Sequence, residues 1–231
     1  MERCLLSIDW DYFIYTKIFQ SCTENKKNII NLWYKRYIQF KTKGDNIEKF
    51  FKLSSDVGFF WKKIKKYFQI SKDTNVYISD SHALSYEVAK KNDCNSVCLF
   101  DAHADLGYGG ISSLDFEVNC ANWLGKLLKD NYVKNAYIVY SPFTHEKPID
   151  FKDISSAYDV EFMSIDKLEK KVDVPAIHIC RSGAWTPPWL DEKFSKFIYD
   201  LKLPYKVVDC NIRKWNPRGL NFSDQIYYLM T

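Results

Sequence analysis

The sequence lacks the marks of a secreted or membrane-bound protein. Its seven cysteines are an odd number and include no Cys-X-X-Cys pair. Several lie within apolar segments, which is typical of a reducing compartment and not of a disulfide framework. No apolar run approaches the length of a membrane-spanning helix, and the first residues show no basic segment followed by an apolar run. We therefore expect a cytoplasmic protein with no membrane partner.

Motifs for nucleic-acid binding, internal repeats, low-complexity segments and linkers are also missing from the 231 residues. The net charge of +4 is a mild excess and gives no reason to expect a nucleic-acid partner. The apolar content of 46% is enough to fill a sizeable core. We therefore expect residues 1–231 to form one domain.

Short apolar segments alternate with helical patterns along the chain, which predicts an α/β domain of three layers, α/β/α, with a mainly parallel central sheet. Residues 23–69 carry apolar residues at helical spacing, and we predict no strand there. A helix connects the strands predicted at 75–79 and 96–100, so these two should be parallel, while their adjacency stays open. The predicted strands span residues 4–8, 75–79, 96–100, 136–140, 160–163, 175–180 and 206–210.

Metal-ligand side chains follow the strand predicted at 96–100, in the sequence Asp-Ala-His-Ala-Asp. If the chain stays extended there, Asp101, His103 and Asp105 point to one side, because side chains alternate along a strand. Open α/β sheets place their sites at the carboxyl ends of strands. We interpret this segment as a metal site. The alternative is a polar loop whose carboxylates are solvated or cap a helix.

Two further strands end in residues of the same kind. The strand predicted at 4–8 is followed by Asp9 and Asp11, and burying two parallel carboxylates without a cation would be costly. His82 lies in the turn after the strand predicted at 75–79. The alternatives are a solvated turn for the aspartates and an ordinary polar loop for His82. We predict that all three join the metal site.

These segments together offer four carboxylates and two imidazoles, which suit Mn²⁺ better than structural Zn²⁺. Six ligands exceed the need of one ion, so we predict two Mn²⁺ ions about 3.5–4 Å apart that share carboxylates. Four carboxylates balance the charge of two divalent ions. A bound hydroxide would then leave the site with a net negative charge, which would attract a cationic substrate group. The predicted metal ligands are Asp9, Asp11, His82, Asp101, His103 and Asp105.

Three short motifs resemble those of the arginases and agmatinases. ISDSHALS resembles their Gly-Gly-Asp-His-Ser motif, FDAHADL their Asp-Ala-His-X-Asp motif, and SIDWDYF their Ser-X-Asp-X-Asp motif. In that superfamily these residues ligate two Mn²⁺ ions, and a guanidinium group is hydrolysed to urea and an amine. The resemblance implies an arginase- or deacetylase-like fold and a hydrolase of linear amidines. It also implies that Asp105 is catalytic, because it orients the attacking water as well as binding metal.

The order of the motifs departs from that of ordinary arginases, where the Asp-X-Asp motif comes last. The segment AIHICRSGAWTPP resembles the strand that normally carries it, but has Ser182 and Ala184 at the carboxylate positions. The ligands are therefore expected on another strand. This arrangement resembles an atypical arginase-like family that includes peptide arginases. The resemblance implies that the partner is a ribosomally made precursor peptide, whose arginine residues are converted to ornithine.

The proton shuttle and the substrate contacts have no matching motif. Arginases carry a loop histidine that would fall at positions 119–122, where this chain has none. We assign the shuttle to His178, with His145 as the alternative, and either could be structural. Asp209 is the candidate for holding the guanidinium, with Glu117 next. The candidate substrate-binding residues are Glu117, Asn119, Asn122, Arg181 and Trp185.

Alternatives remain for these residues and for the function. The polar residues at 117–122 could cap a helix, and Trp185 could pack inward in a proline-stiffened loop. The chain could hydrolyse a free guanidino compound or act as a mononuclear zinc deacetylase. It could also be a catalytically silent binding protein, which the missing loop histidine favours. The sequence does not predict the oligomeric state.

Overall fold

The computed structural model describes residues 2–18, 29–167 and 171–230. The strands in these ranges are β1 (Arg3–Asp9), β2 (Ile14–Thr16), β3 (Phe51–Leu53), β4 (Phe68–Gln69), β5 (Asn75–Ser79), β6 (Ser96–Asp101), β7 (Asn135–Tyr140), β8 (Asp159–Phe162), β9 (Val172–Cys180) and β10 (Lys206–Asp209). Eight of them form one sheet in the order β10-β5-β9-β1-β6-β7-β8, with β4 beside the start of β9. Every pairing in this sheet is parallel. The predicted α/β class is confirmed.

Helices lie on both faces of the sheet and complete the three predicted layers. The α-helices of the described residues are α1 (Ile29–Thr42), α2 (Phe60–Tyr67), α3 (Leu84–Lys91), α4 (Trp123–Lys129), α5 (Lys152–Ala157), α6 (Asp191–Asp200) and α7 (Phe222–Met230). Buried residues of α2 and α6 share one core cluster, and those of α3, α4 and α5 share the other. Each cluster is dominated by aliphatic and aromatic side chains, whose removal from water stabilises the layers.

The alternation of side chains along β1 explains why both faces are covered. Leu6 and Ile8 belong to the core on the α2 and α6 side, while Leu5 belongs to the core on the α3 side. Residues 4–9 are all buried, as expected for a central strand of a parallel sheet. The polar residues Ser7 and Asp9 alternate with the first set. They therefore lie on the α3 side of the sheet.

The prediction of no strand in residues 23–69 is wrong. β3 pairs antiparallel with β2, and β4 pairs with the start of β9. These strands have three and two residues, which is too short for an alternating pattern to appear in the sequence. Residues 19–28 of this region lie outside the described part of the chain.

The connection from β5 to β6 is a parallel crossover, as predicted, but the two strands are not adjacent. β9 and β1 lie between them. The N-terminal strand is therefore at the centre of the sheet, beside both β6 and β9. This position brings the N-terminal aspartates to the other predicted ligands.

Six cysteines lie in the described residues, and none of them forms a disulfide: Cys4, Cys94, Cys98, Cys120, Cys180 and Cys210. Cys22 lies outside the described residues. None of the described helices has the length and apolar character needed to cross a bilayer.

Candidate metal centre

Ligand side chains from distant segments meet at the carboxyl ends of β1, β5 and β6. β1 and β6 are parallel and in register, with Ile8 opposite Phe100, so Asp9 and Asp101 end the two strands at the same level. His82 follows β5 at this edge. Its Nδ1 atom lies 3.3 Å from Asp9 Oδ2 and 2.9 Å from Asp101 Oδ2.

The chain does not stay extended after either aspartate strand, so the condition for side-chain alternation is not met. Asp9 Oδ1 accepts a hydrogen bond from the backbone N–H of Asp11 (2.9 Å), and Trp10–Phe13 forms a 3-10 helix. Asp101 Oδ1 accepts one from the N–H of His103 in the same way (2.9 Å). An aspartate that binds the backbone two residues further on creates a tight turn. Each motif therefore brings in its second ligand by a turn and not by strand alternation.

Two groups of ligand atoms overlap at one carboxylate. Asp9, His82 and Asp101 form the first group, and Asp11, Asp101 and His103 form the second. Within each group the ligand atoms lie within 4.8 Å of one another. Asp101 belongs to both groups and is buried, as are all the others except the partly exposed His103. The arrangement offers two neighbouring positions for a cation with a shared carboxylate.

Two buried atoms of the cluster have no hydrogen-bond partner among the described residues. They are His82 Nδ1 and Asp101 Oδ2, which lie 2.9 Å apart without the alignment of a hydrogen bond. Leaving buried polar atoms unsatisfied is costly, and a cation bound by both atoms would remove that cost. Carboxylate oxygen and imidazole nitrogen are ligands for divalent ions. This buried Asp/His group can therefore hold a metal ion.

Asp105 adjoins the two groups and is held in a fixed position. Its Oδ2 atom lies 2.9 Å from His82 Nδ1 and accepts a hydrogen bond from the indole N–H of Trp123 (2.6 Å). The backbone of Asp105 has φ +51°, which is uncommon for a residue with a side chain. Its carbonyl oxygen accepts a hydrogen bond from the N–H of Leu124 in α4 (3.1 Å). The turn and the helix together direct the carboxylate toward His82.

Burial and like charges change the protonation of the cluster. Burial, helped by the charges of Asp11 and Asp105, raises the pKa of Asp101 to about 7. Burial also raises the pKa of Asp9, again with like charges nearby. By itself burial would lower the pKa of His82, but the adjacent carboxylates of Asp101 and Asp105 outweigh it and raise that pKa. The carboxylates outnumber the imidazoles, and a bound cation would compensate their repulsion.

Several residues that support the ligands were not predicted to do so. Ser182 donates a hydrogen bond to Asp9 Oδ2. Glu146 accepts hydrogen bonds from the N–H of Ala104 (2.8 Å) and the hydroxyl of Tyr108 (2.5 Å), and so holds the turn between His103 and Asp105. Burial raises the pKa of Glu146. Sequence signals for these roles were weak: Ser182 occupies a carboxylate position of the arginase-like pattern, and Glu146 follows the strand predicted at 136–140.

Two cavities meet at the cluster. A small chamber of about 70 Å³ is lined by all six predicted ligands. A cleft of about 630 Å³ shares six lining residues with the chamber, among them Asp11, His103, Tyr108 and Trp185. We call these the ligand chamber and the outer cleft. The further walls of the outer cleft are mostly apolar and include Ile14, Ile47, Phe51 and Phe143.

The other predicted site residues have different positions. Trp185 lines both cavities, with its ring centroid 6.3 Å from that of His103. Asn122 is buried and accepts a hydrogen bond from the N–H of Asn119 (2.9 Å), while its own amide donates to the Glu117 carbonyl (3.1 Å). The side chains of Asn119 and Asn122 thus bond within their own loop, where Glu117 takes part through its backbone carbonyl. Cys120 and Ala121, between the two asparagines, line both cavities.

Three further candidates, like the polar residues of the 117–122 loop, are absent from the lining of both cavities. Arg181 forms a buried ion pair with Asp80, in place of the predicted substrate contact. His178 is fully buried within β9 and contacts serine hydroxyls, and it lines neither of the cavities in which a proton shuttle would act. Asp209 ends the edge strand β10, and its carbonyl accepts a hydrogen bond from the Asp80 N–H (2.5 Å). Of the two predicted histidines, His145 is the one that lines the outer cleft.

Comparison with known proteins adds no family to this description. No family model matches the chain, and no curated protein and no solved structure matches it either. The site is therefore interpreted from its own residues.

Proposed function

We propose that this protein is a dinuclear manganese hydrolase that converts arginine residues in a ribosomally made precursor peptide to ornithine and urea. The observation that carries the proposal is the place of Asp101 in both ligand groups. A carboxylate shared by two cation positions is the hallmark of two-metal sites. The resemblance to arginase-like motifs is the reason for proposing this reaction, and the ligand geometry supports the two metal ions that the reaction needs.

The position of β1 supports the rearranged ligand strand that the motif order implies. β1 is the direct parallel neighbour of β9, with Asp9 opposite Cys180. Ser182, just beyond β9, donates a hydrogen bond to Asp9 Oδ2. The carboxylates of β1 therefore occupy the space next to the positions where arginases carry theirs, and Ser182 acts as a hydrogen-bond donor to a ligand.

The shape of the outer cleft supports a peptide substrate. Its volume of about 630 Å³ far exceeds that of the ligand chamber and is in the range of roughly 300–1,000 Å³ that is typical of ligand pockets. The apolar walls suit the residues that flank an arginine in a peptide. A guanidinium group would reach into the chamber while the peptide backbone stays in the cleft, beside Trp185.

The chain's own residues would position the reactants. Two bound divalent ions would lower the pKa of water and balance the negative charge of the carboxylates. Asp105, held by Trp123, accepts a hydrogen bond from the attacking water and orients it. The water oxygen becomes the carbonyl oxygen of urea, and the bond from the guanidinium carbon to the side-chain nitrogen breaks. Both protons of the water pass to that nitrogen, which leaves as the ammonium group of ornithine.

The test uses the purified protein loaded with Mn²⁺ and arginine-containing peptides with blocked ends. We expect a mass loss of CH₂N₂ for each converted arginine, equal amounts of urea, and two Mn²⁺ per chain. Free arginine should react more slowly, because it lacks the flanking residues that fill the cleft. Asp101→Ala, with folding checked by circular dichroism, is the inactive control.

Other results would replace the proposal. Faster reaction of free arginine would indicate a hydrolase of free guanidino compounds. One tightly bound Zn²⁺ and loss of acetyl groups from acetylated substrates would indicate a deacetylase. Metal binding without reaction of any guanidino or acetylated compound would indicate a binding protein.

A further inference from the structure

A buried chain of hydrogen bonds leads away from the metal centre along the α3 side of the sheet. His82 Nε2 lies 2.7 Å from Ser7 Oγ, which lies 2.8 Å from Ser85 Oγ. Ser85 Oγ lies 2.6 Å from His178 Nδ1, and His178 Nε2 lies 2.8 Å from Ser79 Oγ. Each of these side chains is 2% exposed or less. The chain therefore runs through the protein core from a metal ligand to β5.

The end of this chain fixes the direction of every bond in it. Ser79 Oγ lies 2.8 Å from the backbone carbonyl oxygen of Ser81, which can only accept. The single proton of the Ser79 hydroxyl is used there, so His178 must donate to Ser79 from Nε2. A neutral His178 then accepts at Nδ1. Burial lowers the pKa of His178, which favours that neutral form.

The same count of available protons fixes the remaining hydrogen bonds, from His178 to the predicted metal ligand His82. Because His178 accepts at Nδ1, Ser85 must donate to it, and Ser85 must in turn accept from Ser7. The Ser7 hydroxyl then donates its only proton to Ser85, so it can only accept a hydrogen bond from His82 Nε2–H. The proton of a neutral His82 is therefore on Nε2, and its Nδ1 lone pair faces the carboxylates.

We propose that Ser7, Ser85, His178 and Ser79 are positioning residues that lock His82 in its Nε2–H tautomer and present Nδ1 to a metal ion. The inference rests on the proposed metal centre. A histidine ligand usually donates a hydrogen bond from its second ring N–H to a carboxylate, a backbone carbonyl or water. A carboxylate or carbonyl can only accept, so it fixes the tautomer directly. A serine hydroxyl can either donate or accept, so the direction of the hydrogen bond between Ser7 and His82 must be fixed by other groups. The backbone carbonyl of Ser81 fixes it, because each hydroxyl or ring nitrogen between them has only one proton to donate.

The first test reads the tautomer directly. Two-bond ¹H–¹⁵N correlation spectra of the metal-free protein near pH 8 distinguish protonated from unprotonated ring nitrogens. We expect His178 to carry its proton on Nε2 and to remain neutral. A proton on Nδ1 of His178 would reverse the direction of the chain and overturn the inference, whether or not the protein hydrolyses arginine.

The second test interrupts the chain far from the metal. In Ser85→Ala, the Ser7 hydroxyl loses its acceptor and becomes free to donate to His82 Nε2, which allows the tautomer with a proton on Nδ1. We expect Mn²⁺ affinity, measured by titration calorimetry, to fall about 10- to 100-fold, the range for supporting residues of metal ligands. The matched control is Ser96→Ala, which removes an equally buried hydroxyl from β6 outside the chain.

The outcomes separate this inference from the proposed function. Equal Mn²⁺ affinities of Ser85→Ala and Ser96→Ala would overturn the lock. Mn²⁺ binding by the wild type without urea formation would reject the peptide arginase and leave the lock intact. If Ser85→Ala does not fold, the tautomer of His178 in the wild-type protein still tests the proposed direction of the hydrogen bonds.

Discussion

Two clusters of buried charge lie at the same end of the sheet, and they are built in opposite ways. The ion-pair cluster consists of Asp80, Arg181, Asp191 and Arg213. Its two carboxylates meet two guanidinium groups, so its charge is balanced by its own side chains. The metal cluster has four carboxylates against two imidazoles. Its negative charge is therefore not balanced by the side chains within it.

The comparison indicates that the ion-pair cluster is structural, whereas the metal cluster requires a bound cation to balance its charge. Arg181 donates from Nε to Asp80 Oδ1 (2.6 Å) and from its terminal nitrogen to Asp80 Oδ2 (2.5 Å), a bidentate pair of the strong kind. Arg213 bonds Asp191 and the carbonyl of Gly183. This network holds the loop after β9 in shape. In contrast, the metal cluster leaves His82 Nδ1 and Asp101 Oδ2 without a hydrogen-bond partner in the part of the chain that the structure describes.

The largest expected effect comes from removing the carboxylate shared by both ligand groups. Asp101→Asn should reduce Mn²⁺ affinity by more than about 100-fold, beyond the effect of losing a supporting residue, and abolish urea formation. The metal-free variant should also melt at a higher temperature than the metal-free wild type, because one of four repelling carboxylates is gone. Metal titration, urea assay and thermal melts measure these effects. Tight binding of two Mn²⁺ by the variant would contradict the shared position.

The same substitution in the ion-pair cluster should have the opposite effect on stability. Asp80→Asn leaves Arg181 buried with its main partner lost, which costs roughly 3–5 kcal/mol. We expect the melting temperature to fall by about 10 °C. Mn²⁺ stoichiometry of the folded variant should stay at the wild-type value.

Asp73→Asn, at an exposed aspartate, is the control for both substitutions and should leave the melting temperature within about 1 °C of wild type. If Asp80→Asn and Asp101→Asn shift the metal-free melting temperature in the same direction, the contrast between the clusters is wrong.

The smallest expected effect is the pH dependence of the metal-free protein. The pKa of Asp101 is raised to about 7, and those of His82 and His103 are raised by their carboxylate neighbours although burial opposes this. The folded state therefore binds more protons than the unfolded state between pH 6.5 and 8, and stability falls as pH rises through this window.

We expect the metal-free melting temperature to drop by about 5 °C from pH 6.5 to 8. The lowered pKa of His178 acts in the other direction, but only below the ordinary histidine pKa, where the unfolded chain takes up the proton. Saturating Mn²⁺ should remove the drop, since bound cations replace the protons. A metal-free melting temperature that rises across this window would contradict the assignment of unbalanced negative charge.

Local patterns in the sequence were enough to predict the sheet and the chemical types of the ligands. The strands around Ile8, Ile78 and Phe100 were predicted from short apolar runs, because burial on both faces of a parallel sheet requires such runs. Asp101 was recognisable because it comes directly after the strand predicted at 96–100, and His82 because it lies in the turn after the strand predicted at 75–79. The turns made by Asp9 and Asp101 were missed. An aspartate that accepts a hydrogen bond from the backbone two residues later cannot be told from an extended strand end by its sequence alone.

Residues whose roles depend on distant contacts could not be assigned correctly. Arg181 was predicted to bind substrate, but its partner Asp80 lies on a strand that pairs with β9 only in the folded sheet. His178 was predicted as a proton shuttle because an imidazole can take up and release a proton near neutral pH. Its complete burial depends on the helices and strands that pack around β9 in the folded protein. Glu146 and Trp123 support the ligand turn from segments that no motif marks.

The amino-acid sequence by itself determined the strands of four or more residues and which of them end in carboxylates or imidazoles, because periodicity and side-chain chemistry are local. Only the tertiary structure decided that the N-terminal strand takes the central place between β6 and β9. That placement joins the carboxylates of β1 to those of β6 and puts a serine chain behind His82. Pairing between distant strands depends on the burial of the whole sheet, and no short stretch of sequence encodes it.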